Sequence, residues 1–319
     1  MKRYITYFFI LVFASCSNPQ VKEKKLPPVV AFLDAFEDET IALAKQGFFA
    51  ALAENGFSKD SGTIRVIYRN AQGDIPTLTQ SVDYFIAEKA DLIAANATLA
   101  TITAAQKTKD IPVCMMVAPT PQMAGLTDNA GHPPANLFGV FETLLYIDTS
   151  VSVIRQVLPG AKTIGTVFNQ AEPQSRAALA EITSECNRLG LTLIALPVNN
   201  SSETQLVISS LLSKKIDAFF AMPDNTIFAS FETIVKSCND QKIPVFTSEA
   251  GLVKRGAIAA YGADLYQWGY QAGEQAVQFL KQGNLDGIQP ELLKVRKRIY
   301  NAAVAKQFNI TFPSSFQPL

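Results

Sequence analysis

The chain has 319 residues, 48% of them hydrophobic, and its 28 basic and 28 acidic residues give a formal net charge of zero. This length and hydrophobic content are sufficient for two domains, each with its own core. The balanced charge gives no reason to expect nucleic acid or an anionic surface as a partner. The four cysteines have neither CxxC nor histidine-containing metal spacing, so the sequence predicts no metal site and no cofactor.

The first 16 residues have the layout of an export signal. Lys2 and Arg3 precede an apolar stretch over residues 4–14, and small residues then lead to Cys16. The stretch is shorter than the roughly 20 residues of a transmembrane helix. Its Ala-Ser-Cys ending is similar to the lipobox of bacterial lipoproteins, which predicts acylation of Cys16 and a tether over residues 17–27. An ordinary signal peptide with an incidental cysteine is the alternative.

From residue 29 onward, strand-like runs alternate with stretches of helical period, which is typical of parallel sheets covered by helices on both faces. In chain order, the predicted strands are Val29–Leu33, Ile64–Tyr68, Leu92–Ala95, Val113–Val117, Thr163–Phe168, Thr192–Leu196, Ala218–Ala221, Val245–Thr247 and Ala257–Tyr261. The predicted helices are Thr40–Asn55, Thr77–Glu88, Thr98–Thr108, Tyr146–Leu158, Gln174–Leu189, Glu203–Leu212, Thr226–Asn239 and Asp264–Lys281.

Short patterns in the sequence occur twice at a nearly constant distance. Asp91 opens an apolar run that Asp217 repeats 126 residues later, and the Ile-Pro-Val of Pro112 returns at Pro244 after 132 residues. Such a spacing predicts two similar doubly wound α/β lobes rather than a solenoid of short repeats. Two lobes on one chain leave a cleft between them, and clefts between domains are favoured places for small ligands.

Short polar side chains follow the predicted strands, where parallel α/β sheets bind their ligands. The candidates from these turns are Phe36, Gln72, Asn96, Thr98, Asn169, Glu172, Asp224, Asn225, Ser248 and Glu249. Helix N-termini at such turns favour a carboxylate, and the acidic members would suit an ammonium. For Thr98, Asp224 and Asn225, capping of a helix is an alternative role.

The sequence gives no support for catalysis. Its single histidine, His132, lies in a Gly-His-Pro-Pro loop, and we expect it to be a surface residue. There is no G-x-S-x-G elbow, phosphate loop or H-E-x-x-H motif. We therefore expect a binding protein rather than an enzyme.

Six stretches together match a known family: Gln46–Phe48, Tyr68–Asp74, Lys109–Val113, Leu158–Gly165, Pro223–Thr226 and Val253–Ala257. With them, the chain resembles the substrate-binding lipoproteins of ABC importers, in the tryptophan- and tyrosine-binding group with the type I periplasmic-binding fold. The resemblance covers about residues 29–313. It implies that the chain crosses between lobes three times. The expected first lobe comprises residues 28–138 and 263–288, and the second comprises residues 139–262 and 289–319.

The resemblance also implies an exported, lipid-anchored monomer that closes a hinge around a small amino-acid-like ligand and delivers it to an ABC permease. We expect that ligand to have an aromatic or apolar side chain. A receptor that feeds a sensor instead is the alternative. By the same resemblance, the ligand contacts in the second lobe are Asn169, Glu172, Ser175, Asp224 and Asn225. We expect the ammonium to face Asp224 or Glu172, with Phe36 and Phe141 in the side-chain pocket. Asn96, Thr98 and Ser175 would hold the carboxylate.

Overall fold

A computed structural model describes residues 26–319 of the chain. Its strands are β1 (Val29–Asp34), β2 (Arg65–Asn70), β3 (Leu92–Asn96), β4 (Val113–Pro119), β5 (Leu137–Glu142), β6 (Thr163–Phe168), β7 (Thr192–Pro197), β8 (Ala218–Ala221), β9 (Val245–Glu249), β10 (Ala259–Ala263), β11 (Glu291–Leu292), β12 (Arg296–Tyr300) and β13 (Gln317–Pro318). Its helices are α1 (Glu39–Glu54), α2 (Ile75–Ala87), α3 (Thr98–Lys107), α4 (Ile147–Val157), α5 (Pro173–Arg188), α6 (Thr204–Leu212), α7 (Asn225–Ala229), α8 (Phe231–Asp240), α9 (Ala250–Lys254), α10 (Leu265–Gln282) and α11 (Ala302–Gln307). None of these helices has both the length and the apolar character of a membrane span.

The strands form two sheets, one in each lobe. The first has the order β11-β5-β4-β3-β1-β2, and the second has the order β13-β12-β10-β9-β8-β6-β7. All pairs of the first sheet are parallel, and in the second only β12 runs antiparallel to its neighbour β10. Central strands such as β3 and β8 are buried along their whole length, which explains their continuous apolar runs. The predicted fold class, two similar doubly wound parallel lobes, is confirmed.

Helix α10 packs along α1 and against β4 and β5, on the first lobe. The two helix axes approach closely because glycines face each other at the contact. A Cβ atom on Gly47 would lie 2.0 Å from the Tyr266 carbonyl oxygen, and one on Gly269 would lie 1.8 Å from that of Ala44. Side chains at these two positions would force the helices apart.

The positions of two lobe crossings differ from the sequence-based expectation. We expected the first crossing near residue 138, but Leu137–Glu142 is the fifth strand of the first sheet and pairs with β4. Gly139, at φ +110°, belongs to a register shift of that pairing, and a Cβ there would lie 2.2 Å from the Met115 carbonyl oxygen. This glycine marks a close approach of two strands rather than a linker. Residues 291–292 likewise pair with β5, whereas we expected all of 289–319 in the second lobe.

A buried ion pair joins the first crossing, which follows β5, to the third crossing, which lies between β11 and β12. The Arg296 guanidinium donates to both carboxylate oxygens of Glu142, from Nε at 3.0 Å and from Nη2 at 2.7 Å. The Glu142 side chain is completely buried, and that of Arg296 is 24% exposed. The same guanidinium lies 5.4 Å from the centre of the Tyr146 ring. The ion pair therefore holds the first and third connections between the lobes at a fixed separation.

Removing the cation of this pair should destabilise the fold. We expect Arg296→Ala to lower the free energy of unfolding by about 3 kcal/mol, because the Glu142 carboxylate stays buried without its counter-charge. Urea denaturation measures the change. Arg298→Ala, at an exposed position on the same strand, is the control. Equal losses for the two variants would show that the ion pair does not stabilise the crossing.

Candidate ligand-binding site between the lobes

A cavity of about 30 Å³ lies between the lobes, at the carboxyl ends of the strands. By this measure one water molecule needs about 10–15 Å³, so the lobes have to move apart before an amino acid fits between them. The lining residues are Thr98, Val117, Ala118, Pro119 and Trp268 from the first lobe, Leu144 and Tyr146 from the first crossing, and Gln174, Pro223, Asn225, Phe228 and Glu249 from the second lobe. Both lobes and the connection between them therefore contact whatever fills the cavity.

Two side-chain amides that line the cavity carry buried atoms without hydrogen-bond partners in residues 26–319. They are the acceptor Oε1 of Gln174 and the donor Nδ2 of Asn225. The Gln174 amide nitrogen donates to Glu172, which leaves its oxygen as the unpaired atom. A buried polar atom without a partner costs about 1–3 kcal/mol. A ligand that offers a donor and an acceptor would remove this cost at both positions.

The N-terminus of α3 also opens toward the cavity. Thr98 begins this ten-residue helix, and Ala97 at the cap position makes no side-chain hydrogen bond. The first N–H groups of an α-helix have no partner inside the helix, and they favour a negatively charged group. Thr98 has its own hydroxyl at the same place, on the cavity wall. This end of the cavity therefore suits a carboxylate.

Among the residues that the structure describes, Glu249 is the one acidic residue on the cavity wall, and no Lys, Arg or His of that part lies beside it there. Its Oε1 accepts hydrogen bonds from the Tyr146 hydroxyl at 2.8 Å and from Ser248 Oγ at 3.3 Å. Both contacts use the same oxygen, so Oε2 is free for a ligand. Burial raises the pKa of this carboxyl to about 8, and the nearby charge of Glu142 adds to the shift. A ligand ammonium would supply the missing positive charge.

Asp224 and Glu172 lie behind the cavity wall, not on it. Asp224 caps α7 through the Ile227 N–H at 3.0 Å and also accepts from Asn169 N at 2.7 Å and Ser175 Oγ at 2.6 Å. Glu172 accepts from the backbone N–H of Asn225 at 3.0 Å. Burial raises the pKa of Glu172 to about 8, with the charge of Asp224 as the second cause. These acids fix the positions of the wall residues.

The other candidates from the sequence lie apart from the cavity. Asn96 is completely buried and donates to Asp34 Oδ1 at 2.8 Å. Gln72 is exposed at φ +50°, and Phe141 is half-buried on β5. Phe36 lines a separate groove beside Asp34 and Lys45, while Ser248 is buried behind Glu249. Of the twelve candidates, the structure places Thr98, Asn225 and Glu249 on the wall.

Sequence reasoning missed most of the apolar wall. Tyr146 lies in the crossing that follows β5, a strand that the sequence analysis did not predict, and Trp268 lies one turn inside α10 rather than in the turn after β10. Val117 and Leu144 have left-handed backbones, with φ +51° and φ +67°. Such strain costs about 1–3 kcal/mol per residue and is common at ligand sites. No feature of a single sequence marks a Val or Leu that adopts this conformation.

The site has no composition suited to a metal, since residues 26–319 contain no group of three or more His, Cys, Asp or Glu side chains that could hold one. Its polar groups are amides, hydroxyls and single carboxyls. These groups bind organic ligands through hydrogen bonds and charge.

The Asp224 network should contribute more to stability than an ordinary helix cap. We expect Asp224→Ala to lower the free energy of unfolding by about 2–3 kcal/mol, because three donors lose their acceptor inside the protein. Asp74→Ala, which removes the exposed cap of α2, is the matched control and should cost about 1 kcal/mol. Thermal and urea unfolding compare the two, and equal losses would reduce Asp224 to a helix cap.

Comparisons with known proteins place the chain in a family. Residues 29–317 match the family model described as "ABC transporter substrate binding protein". A tyrosine-binding protein of Clostridioides difficile is 32% identical over 297 residues, which cover 93% of this chain and 85% of that protein.

Two solved structures are similar to this chain over nearly all of its length. The structure of an ABC domain with L-Trp from Streptococcus pneumonia is 26% identical and has a TM-score of 0.82, over 91% of this chain and 97% of that one. The ligand-free, open structure of an adhesive substrate-binding protein from Clostridium difficile is 28% identical, with a TM-score of 0.67 over 92% and 99%. The chain belongs to the family of ABC transporter substrate-binding proteins, which bind solutes and are not enzymes.

Proposed function

We propose that this protein binds an amino acid with an aromatic or apolar side chain and delivers it to an ABC permease for import. The observation that carries the proposal is the pair of unpaired buried atoms, Gln174 Oε1 and Asn225 Nδ2, beside the free oxygen of Glu249. The relatives described as tyrosine-binding and as an L-Trp complex support the same class of ligand.

A zwitterion offers the donor and the acceptor that the two unpaired amide atoms on the wall lack. Its ammonium donates to Glu249 Oε2 and Gln174 Oε1, and its carboxylate accepts from Asn225 Nδ2 and from the N-terminus of α3. The absence of basic side chains from the wall argues against phosphates and dicarboxylates, because a second negative charge would be buried without a partner.

The rest of the wall suits an apolar side chain. Trp268, Phe228 and Leu144 are each at most 5% exposed and contribute apolar surface from both lobes. Aromatic residues pair favourably with another ring at centroid distances of about 4.5–7 Å. The narrow space between the lobes favours one amino acid over a peptide.

Closure of the two lobes explains how binding becomes a signal to the permease. A ligand that contacts both lobes binds the closed form better and shifts the population toward it. Here the proposed ammonium partners and Asn225 lie in the second lobe, and the helix N-terminus that also receives the carboxylate lies in the first. An open form offers the contacts of one lobe at a time.

Binding should strengthen as the pH rises from 6 to 8. Glu249 holds a proton below a pKa of about 8, and the ammonium must displace it. The free form therefore binds more protons than the complex, so affinity increases by up to about tenfold per pH unit in this window. Calorimetry with L-Trp, L-Tyr, L-Phe and L-Leu measures this dependence.

Glu249→Gln tests the assignment directly. We expect its affinity at pH 8 to be about 10- to 100-fold weaker, which corresponds to the roughly 1.5–3 kcal/mol of a hydrogen bond to a charged group. We also expect the pH dependence to be lost. Glu274→Gln, at an exposed position of α10 outside the cavity, is the control. An unchanged affinity and pH profile would exclude Glu249 as the ammonium partner.

We also propose that the protein is a lipoprotein anchored outside the cytoplasm through Cys16, which lies outside the described residues. The basic, apolar and small residues before this cysteine support the proposal. We expect Cys16→Ala to move the protein from the membrane fraction to the soluble fraction. Metabolic labelling with a fatty acid and cell fractionation measure the change. Retention of Cys16→Ala in the membrane, processed at the same site, would contradict lipidation.

A further inference from the structure

The lobes also meet outside the cavity, at the N-terminus of α1. Arg255, which follows α9 in the second lobe, donates from Nη1 to Asp38 Oδ2 at 2.6 Å and to Thr40 Oγ1 at 3.0 Å in the first lobe. The side chains of Arg255 and Asp38 are 11% and 3% exposed. Surface ion pairs contribute little to stability, but this one is largely removed from water.

Both partners are held in position within their own lobes. Arg255 Nε and Nη2 donate to the two oxygens of Glu232 at 2.7 and 2.9 Å, and Nη2 also donates to the Phe228 carbonyl at 2.8 Å. Asp38 uses Oδ1 to cap α1, through the N–H groups of Thr40 and Ile41. Its Oδ2 is thus available for the other lobe, and neither side chain has to reorganise when the lobes meet.

A second observation at the same contact concerns steric fit. Gly251 of α9 lies against Thr40, and a Cβ atom at Gly251 would lie 2.3 Å from Thr40 Cγ2. Real Cβ atoms do not approach a methyl group so closely, so an alanine would force either the Thr40 side chain to turn or α9 to move away from α1. Thr40 also accepts from Arg255 at this contact, so either change would disturb the contact between the lobes.

We propose that Asp38, Arg255 and Gly251 form an interlobe clasp that stabilises the closed form and so sets the affinity for the ligand without touching it. The Phe228 carbonyl links the clasp to the cavity wall, because Arg255 holds the backbone of a residue that lines the cavity. The clasp rests on the proposed function in one respect only, that closure accompanies amino-acid binding. A contact made only in the closed form raises its population and lowers the apparent dissociation constant.

Two variants separate the clasp from other roles of its residues. Asp38→Asn removes the charge but keeps the helix cap, since Asn and Asp cap equally well. Gly251→Ala adds one methyl group at the contact. Their controls are Asp74→Asn, at the cap of α2, and Gly160→Ala, where a Cβ atom meets nothing within 4 Å.

We expect both clasp variants to bind L-Trp or L-Tyr about 10-fold more weakly or worse, mainly through faster dissociation, while the controls bind as the wild type does. The melting temperature without ligand should stay close to that of the wild type, because both lobes keep their cores. Small-angle scattering of the ligand-free Gly251→Ala variant should show a larger radius of gyration. Stopped-flow kinetics, calorimetry and scattering provide the readouts.

The outcomes distinguish this proposal from the proposed function. Wild-type affinity and dissociation rate in both clasp variants would overturn the clasp and leave the ligand assignment intact. Failure of the wild type to bind any amino acid would refute the proposed ligand. In that case ligand-free scattering decides, and identical profiles for the wild type and Gly251→Ala would overturn the clasp as well.

Discussion

The rest of this structure depends on one constraint: four acidic side chains are buried at the cavity between the lobes or just behind its wall. Glu142, Glu172, Asp224 and Glu249 are each at most 5% exposed. Only Glu142 has an arginine partner; the others rely on N–H and O–H donors. Because burial without a full counter-charge favours the protonated form, the pKa of each of these three is raised. A cationic group entering the cavity would reverse that preference at Glu249.

The strands and their parallel arrangement could be predicted because a central strand that is buried on both faces has an unbroken run of apolar residues. The continuous apolar runs of β3 and β8 and their nearly constant spacing were sufficient for the fold class. Strand β12 was missed because Arg296, Lys297 and Arg298 break the apolar pattern. It runs antiparallel to β10, and Ile299 is the one buried residue among its five. The sequence pattern also does not indicate that the predicted helix Thr226–Asn239 is divided at Ser230 into α7 and α8.

The site was predictable only in outline. The rule that ligands bind after the strands led to Thr98, Asn225 and Glu249, because it depends on topology alone. It could not decide which side chain of a turn faces outward. At the turn of residues 224–226, Asp224 points back to satisfy three donors, and this leaves Asn225 to face the cavity. Contact of Asn169, Glu172, Ser175 and Asp224 with the ligand stays a prediction.

Trp268 is an intrinsic fluorescence probe of the cavity. It is the single tryptophan of the chain, lies on the cavity wall and donates its indole N–H to the Val140 carbonyl at 2.7 Å. The hydrogen bond fixes the ring, and the close packing of α10 on α1 fixes the helix that carries it. The indole emission of this protein therefore comes from one chromophore in a fixed position, and its emission wavelength depends on the polarity of the adjacent cavity. Ligands without an indole of their own can be detected by fluorescence without any label.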